Sequence, residues 1–197
     1  MKYLTLFLLL VVVLFTACSK PPDDVPSAQL ELNIVEEIEP TLEPKVAVSR
    51  DVPVDIESSS FTFTGYGPGK EHIGSFDIYN GHLVIEKNTV IGLAGVINTS
   101  SVNTGIDGLN THLQSEDFFD AANNPFITVA NGVVLRDGDL VQARADVTLN
   151  GITQSIVFPV ITSENSIAAD FLLDGSLFEI EYIGVNKDVR IMFTFRI

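Results

Sequence analysis

The sequence predicts an all-β domain, either an up-and-down barrel or a sandwich of about eight antiparallel strands. Apolar and polar residues alternate over most of the chain after Ile56, which is the pattern of half-buried strands. These runs are separated by tight polar turns such as Asp137-Gly138 and Asn150-Gly151. The strands do not alternate with a series of helices, as they would in a parallel sheet.

The chain begins with an apolar leader, residues 1–17. Lys2 precedes a nearly continuous apolar run over residues 4–17, which would span roughly 21 Å as a helix, against ~30 Å of bilayer hydrocarbon. This length predicts a signal peptide rather than a membrane span. The run ends LFTAC, which resembles a bacterial lipobox, so Cys18, the chain's only cysteine, is the predicted lipid anchor. The alternative is a plain secretory signal with an incidental cysteine.

Residues 18–51 are predicted to be a lipidated cysteine followed by an acidic, proline-rich tether. Proline removes hydrogen-bond donors and like charges repel, which favours an extended chain with about 30 Å of reach. Leu30, Leu32 and Ile34 alternate, so a short strand or a docked segment is the competing interpretation.

Residues 52–197 are predicted to form the single β domain. Asn80-Gly81 interrupts one alternating run and predicts a type I′ hairpin. The clearest strand covers residues 141–149, where apolar side chains alternate with Arg144, Asp146 and other polar residues. The last strand, residues 190–197, repeats this pattern.

A short helix is predicted at residues 108–120, the one segment that is neither strand, turn nor linker. Asp107 can cap it, and Leu109 and Leu113 follow at helical spacing. Phe118 and Phe119 close the segment with a large apolar block. The pattern suggests a helical cap over one end of a barrel.

This helical segment also carries a family resemblance. Residues 112–120 (HLQSEDFFD) and 124–128 (NPFIT) resemble a signature of the YceI-like lipid-binding family. Residues 72–76 (HIGSF) and 146–153 (DVTLNGIT) resemble two further family segments, in the same order along residues 52–197. The resemblance implies an eight-stranded antiparallel lipocalin-like barrel with a short helical cap, holding a long polyisoprenoid or quinone-type lipid. Where many relatives have an arginine-containing strand, this chain has DGSLFEIEY at residues 174–182, which puts the head-group contacts in doubt.

Charge and motifs exclude several other classes of protein. A formal net charge of −15 argues against nucleic-acid binding, which needs clustered Lys and Arg. No histidine has a second ligand at metal-binding spacing. Glu116, Asp117 and Asp120 could form a carboxylate cluster, but the solvated side of a short helix is the simpler interpretation. We therefore predict a protein that is not an enzyme, with no catalytic residues, no metal site and no cofactor besides a bound isoprenoid lipid.

The predicted binding site is an apolar tunnel, although the same aromatic residues could equally fill an ordinary core. Burying a five-carbon isoprene unit gains roughly 4 kcal/mol, so few polar contacts would be needed. The predicted function is a lipid-anchored envelope protein that binds or carries an isoprenoid, on the periplasmic side of the outer membrane in a Gram-negative cell. The alternative is a non-catalytic scaffold with a filled barrel, and the sequence leaves a homodimer open. The predicted ligand-binding residues are Phe61, Phe63, His72, Phe76, His112, Leu113, Phe118, Phe119, Phe126, Phe158, Phe171 and Phe193.

Overall fold

The computed structural model describes residues 19–31, 49–77 and 79–197, which contain thirteen strands, one α-helix and two 3-10 turns. The strands are β1 (Gln29–Leu30), β2 (Arg50–Pro53), β3 (Ser60–Gly67), β4 (Lys70–Phe76), β5 (Tyr79–Glu86), β6 (Thr89–Asn98), β7 (Val102–Asn103), β8 (Phe126–Asp137), β9 (Leu140–Leu149), β10 (Ile152–Pro159), β11 (Ile161–Thr162), β12 (Ser166–Asp174) and β13 (Asp188–Arg196). The helix α1 covers Asp107–Leu113, and the 3-10 turns cover Thr99–Ser101 and Gly175–Phe178.

The strands form two antiparallel sheets around a shared interior. One sheet has the order β1-β10-β9-β8-β6-β5-β2, and the other β11-β12-β13-β3-β4-β7. The all-β antiparallel prediction is therefore confirmed. Instead of one closed eight-stranded ring, the described residues build a barrel-like cup from two sheets, because β10 and β12 do not pair with each other.

The predicted alternation decides which side chains enter the interior. On β9, Ala143, Ala145 and Leu149 are buried, whereas Arg144 and Asp146 lie on the outer face. Successive side chains of a strand point to opposite faces, so one sequence pattern supplies both an apolar lining and a polar exterior.

One predicted hairpin is wrong. Asn80 and Gly81 lie inside β5, and the turn between β5 and β6 is made by Lys87 and Asn88, whose φ angles are +49° and +59°. A Cβ on Gly81 would stand 2.7 Å from the Ala94 carbonyl oxygen, so glycine serves close strand packing here instead of a turn.

The other two predicted turns are confirmed. Asn150 and Gly151, with φ of +52° and +76°, join β9 to β10. Gly138, with φ of +57°, stands in the turn between β8 and β9. Both are conformations that Asn and Gly adopt at low cost.

The cap helix is shorter than predicted and begins differently. Ile106 occupies the N-cap position without a side-chain hydrogen bond, and Asp107 lies in the first turn. The Asn110 side-chain oxygen accepts from the backbone and hydroxyl of Thr104, at 2.8 and 2.7 Å, and fixes the start of the helix. Beyond Leu113 the chain continues in turns.

Residues 19–31 pack along the gap between the two sheets, so the extended tether does not describe this part of the chain. The Ala28 amide donates to the Leu172 carbonyl of β12 at 2.8 Å, and the Leu172 amide donates to Pro26 at 2.7 Å. β1 then pairs antiparallel with β10. We call residues 19–31 the seam segment. An unpaired strand edge readily pairs with another chain, and the seam segment hydrogen-bonds to two such edges, those of β10 and β12. Residues 32–48 lie outside the described residues.

The Glu31 side chain also holds the seam segment against the first sheet. Glu31 accepts from Arg144 Nη1 at 2.7 Å and from the Ser155 hydroxyl at 3.2 Å, and its own amide donates to the Ser155 carbonyl at 3.0 Å. Of the three residues whose alternation suggested a short strand or docked segment, Leu30 lies in β1, while Leu32 and Ile34 lie outside the described residues.

Candidate functional site

A cavity of about 740 Å³ lies between the two sheets. Side chains from β3, β4, β5, β6, β8, β9, β10, β12 and β13 line it, together with residues of the cap. Most of these side chains are aliphatic or aromatic. The interior is therefore hollow and apolar. The sequence pattern did not decide between a hollow and a filled interior.

Aromatic rings form two groups on the cavity wall. The ring centre of Phe76 lies 5.6 Å from those of both Phe63 and Phe119. These contacts connect the second sheet to the cap. Phe158 stacks on Phe171 at 4.6 Å and joins β10 to β12 on the inside of the seam. Such pairs add about 0.5–1.5 kcal/mol each beyond the area they bury.

The position of Phe63 depends on a glycine opposite it. Gly74 pairs with Phe63 across β3 and β4, and a Cβ on Gly74 would stand 2.3 Å from Phe63 Cζ. The ring therefore lies flat over the backbone of β4. A side chain at this position would push the ring into the cavity.

The cavity reaches the surface beside the loop that follows β12. Tyr182 and Ile183 of this loop both line the cavity and are 43% and 98% exposed. Tyr182 also contacts the cap, since its ring centre lies 4.9 Å from that of His112 and 5.5 Å from that of Phe118. These three rings form an aromatic latch between the cap and the loop.

A family model for the YceI-like domain matches residues 52–197. The chain belongs to the YceI-like family. Protein YceI of Escherichia coli O6:H1 is 36% identical over 92 residues, and its counterpart in Shigella flexneri is 35% identical over the same length. These matches cover 46% of this chain and 45% of each relative, so the chain spans less than half the length of the curated relatives that it matches.

Two solved structures share the YceI-like fold of this chain. Burkholderia cenocepacia BcnA has a TM-score of 0.66 at 17% identity, over 72% of this chain and 98% of that one. A polyisoprenoid-binding domain from Saccharophagus degradans, implicated in plant cell wall breakdown, has a TM-score of 0.55 at 19% identity, over 76% of this chain and 97% of that one. At such identities the likeness concerns the fold alone.

The cavity of this YceI-like domain contains most of the predicted ligand-binding residues. Those that line it are Phe61, Phe63, His72, Phe76, Leu113, Phe118, Phe119, Phe158, Phe171 and Phe193. Two do not. His112 lies outside the lining, in the aromatic latch, with Nε2 3.4 Å from Asp117. Phe126 is 52% exposed, because the alternation of β8 points its neighbour Ile127 inward instead. Cys18 lies outside the described residues.

Several lining residues are not among the predicted ligand-binding residues. Tyr79 and Phe195 line the cavity with their rings 6.1 Å apart, and both lie on alternating runs that could have indicated them. Tyr182 and Ile183 come from an irregular loop, where no periodicity exists to show which side chains point inward. The alternating strands therefore indicate side chains on the cavity wall, whereas the loop carries no such signal, and ligand binding by these residues stays a prediction.

Polar residues are a minority of those that line the cavity. Burial raises the pKa of Tyr79, so its hydroxyl stays protonated. Near the outlet, Lys187 forms an ion pair with Asp174 at the base of the loop. Burial alone would raise the pKa of Asp174, but hydrogen bonds from Lys187 and Ser176 outweigh it and hold that pKa below its usual value.

One cap carboxylate, Asp120, stabilises the local fold of the cap. Asp120, with φ of +44°, accepts from the side-chain amide of Asn123 at 2.9 and 3.0 Å and from that of Asn124 at 3.3 Å. In residues 19–31, 49–77 and 79–197 no three His, Cys, Asp or Glu side chains are grouped as a metal site. Within the same described ranges, no helix has the length and hydropathy needed to cross a bilayer.

Proposed function

We propose that this YceI-like protein binds a long-chain isoprenoid or quinone-type lipid in its cavity and carries it without chemical change. The observation that supports this most is the apolar cavity of about 740 Å³. At roughly 30 Å³ for each heavy atom, the volume of one water molecule in the liquid, the cavity holds about 25 atoms. That is about five isoprene units.

The apolar lining accounts for the binding energy. At roughly 4 kcal/mol for each buried isoprene unit, five units would reach the practical limit of non-covalent affinity before ordering costs are subtracted. A carrier of this kind needs few polar contacts, and the lining offers few. A filled barrel that serves only as a scaffold does not fit an interior of this size.

Mass spectrometry tests lipid binding directly. The chain from Ser19 onward would be purified, and co-purifying lipid identified by native mass spectrometry and extraction. A polyprenol and a ubiquinone would then be offered separately to distinguish the head groups. A chain that carries no lipid and takes up neither probe would contradict the proposal.

A pair of variants shows whether the lipid occupies this cavity. Ile191 lines the cavity, while the next residue of β13, Met192, lies on the outer face. Ile191→Trp should lower the loaded fraction because the larger side chain fills the tunnel. Met192→Trp adds the same side chain outside and should leave loading unchanged.

We further propose that acylated Cys18 holds the protein in the cell envelope, on the periplasmic face of the outer membrane in a Gram-negative cell. The LFTAC sequence and the single cysteine support this anchor. Two or more acyl chains, at ~0.8 kcal/mol for each buried CH₂, give stable attachment. The mass of the N-terminal peptide from membranes should show the acyl groups, and Cys18→Ser should release the chain into the soluble fraction.

A further inference from the structure

The first described residue is fixed at the end of the molecule where the cavity opens. The Ser19 amide donates to the Gly67 carbonyl at 3.1 Å. The Ser19 hydroxyl donates to the same carbonyl at 2.9 Å and to the Lys70 carbonyl at 2.8 Å. Pro21, two residues further on, is buried. The chain is therefore tied to the turn between β3 and β4 at Ser19, with no flexible spacer in between.

This turn and the loop after β12 form one surface, which we call the rim and define as residues 67–70 and 182–187. The Asn186 amide donates to the Tyr66 carbonyl at 2.8 Å, and a Cβ on Gly184 would stand 3.5 Å from Pro68. Gly67, Ile183 and Asn186 all line the cavity. The rim is thus the border of the cavity outlet.

The rim presents apolar side chains to solvent. Ile183 is 98% exposed, the most exposed large apolar side chain among the described residues, and Tyr182 beside it is 43% exposed. Pro68 is exposed on the facing turn. An aliphatic tip beside an amphipathic aromatic ring is a combination suited to the interface of a bilayer.

The distance to the predicted anchor is short. Cys18 is joined to Ser19 by one peptide bond, and consecutive Cα atoms are about 3.8 Å apart. A free tether over residues 19–51 would have allowed about 30 Å of separation and any orientation. An acyl group on Cys18 instead attaches within one residue of the rim.

We propose that the rim is a membrane-contacting surface, so that the anchored protein stands on a phospholipid bilayer with its cavity outlet facing the lipid and Ile183 inserted in the interface. This inference rests on the proposed lipid anchor at Cys18. It goes beyond lipid binding, because it states how an isoprenoid passes between bilayer and cavity without crossing water.

The charges near the rim favour zwitterionic lipid as the partner. Lys20 pairs with Asp23, and Lys187 pairs with Asp174, whereas Lys70 is exposed on the rim without an ion pair among the described residues. The whole chain has a formal net charge of −15, which opposes binding to anionic lipid. Attachment would therefore come from the acyl chains, and orientation from the apolar side chains.

A single-tryptophan experiment tests this orientation. The chain contains no tryptophan and one cysteine, so a tryptophan reports from one place and thiol coupling occurs at one place. The chain from Cys18 onward would be coupled through Cys18 to a maleimide phospholipid in phosphatidylcholine–phosphatidylethanolamine vesicles. Brominated phosphatidylcholine would then serve as a quencher that acts only within the bilayer.

The probe and its control are two exposed isoleucines outside β12. Ile183→Trp lies on the rim, in the loop that follows the end of β12. Ile161→Trp, 79% exposed on β11, pairs with Ala168 near the start of β12, and the strand from Ala168 to Asp174 is about 20 Å long. The emission maximum of the rim tryptophan should shift to shorter wavelength, and brominated lipid should quench most of its fluorescence. The emission maximum and the fluorescence intensity of the control tryptophan should stay unchanged.

Three results would overturn the proposal. Equal quenching of both tryptophans would show that the protein has no preferred orientation, and absence of quenching would show that the rim stays in water. A blue shift of the rim tryptophan in lipid-free solution that grows with protein concentration would show a second copy of the chain on the rim. Because the maleimide supplies the attachment, this readout is independent of natural acylation at Cys18, which the mass of the N-terminal peptide tests separately.

Discussion

Replacing Ala28 by proline should loosen the seam between the two sheets. Proline has no amide hydrogen, so Ala28→Pro removes the 2.8 Å hydrogen bond to the Leu172 carbonyl. Leu172 is only 7% exposed, and its carbonyl would lose a donor in a site with little access to water. A buried acceptor left unsatisfied costs about 1–3 kcal/mol.

Thermal unfolding, followed by circular dichroism, measures this cost. For a chain of this size about 2 kcal/mol corresponds to a fall in Tm of roughly 4–8 °C. Ser27→Pro is the matched control, because among the described residues the Ser27 amide donates no backbone hydrogen bond. Equal melting of Ala28→Pro and the unmodified chain would refute the reasoning, and so would equal destabilisation by both prolines.

Three further tests, two of them with a control variant, concern the cavity wall, the latch and the outlet. Gly74→Ala should cost about 1–3 kcal/mol in the free energy of unfolding and lower lipid loading, because it displaces the Phe63 ring. Gly108→Ala, whose Cβ meets nothing within 4 Å and which does not line the cavity, should lower neither quantity. Tyr182→Ala should speed lipid release, measured by transfer to acceptor vesicles, while Tyr182→Phe keeps the rate. Folding lowers the pKa of Asp174. Its contribution to the free energy of unfolding is therefore complete above about pH 4 and is lost as pH falls through the pKa of the folded state. Asp174→Asn should therefore destabilise the chain at pH 7 and flatten its acid-unfolding profile, whereas an unchanged profile would contradict the assigned ion pair.

The strands and much of the cavity wall could be predicted because burial and strand geometry leave a direct trace in the sequence. The alternation over residues 141–149 identified the inward face of β9, and the same rule placed Phe158 and Phe193 on the wall. Turns were less certain. Asn80-Gly81 has the composition of a type I′ turn, but glycine also permits close strand packing, and local composition does not distinguish these two uses.

The seam segment and the latch depend on partners distant in sequence. Nothing near Ala28 indicates that its amide will meet Leu172, and proline-rich, acidic composition is shared by disordered chains and by segments that add to a strand edge. Tyr182 likewise meets His112 from a loop without periodicity. Hollow and filled interiors produce the same alternation, so the cavity itself required the three-dimensional structure.

The seam segment also has a consequence for the order in which the molecule is built. Glu31 is among the earliest parts of the described chain to be synthesised, yet Ser155, its hydrogen-bond partner, follows 124 residues later. Contacts between such distant residues form slowly, since the intervening chain must first be ordered. The last event in folding would then be the docking of the earliest-made residues, and until that moment two strand edges stay available to other chains. A newly synthesised copy would be most prone to aggregation in this interval, when a chaperone would have most to protect.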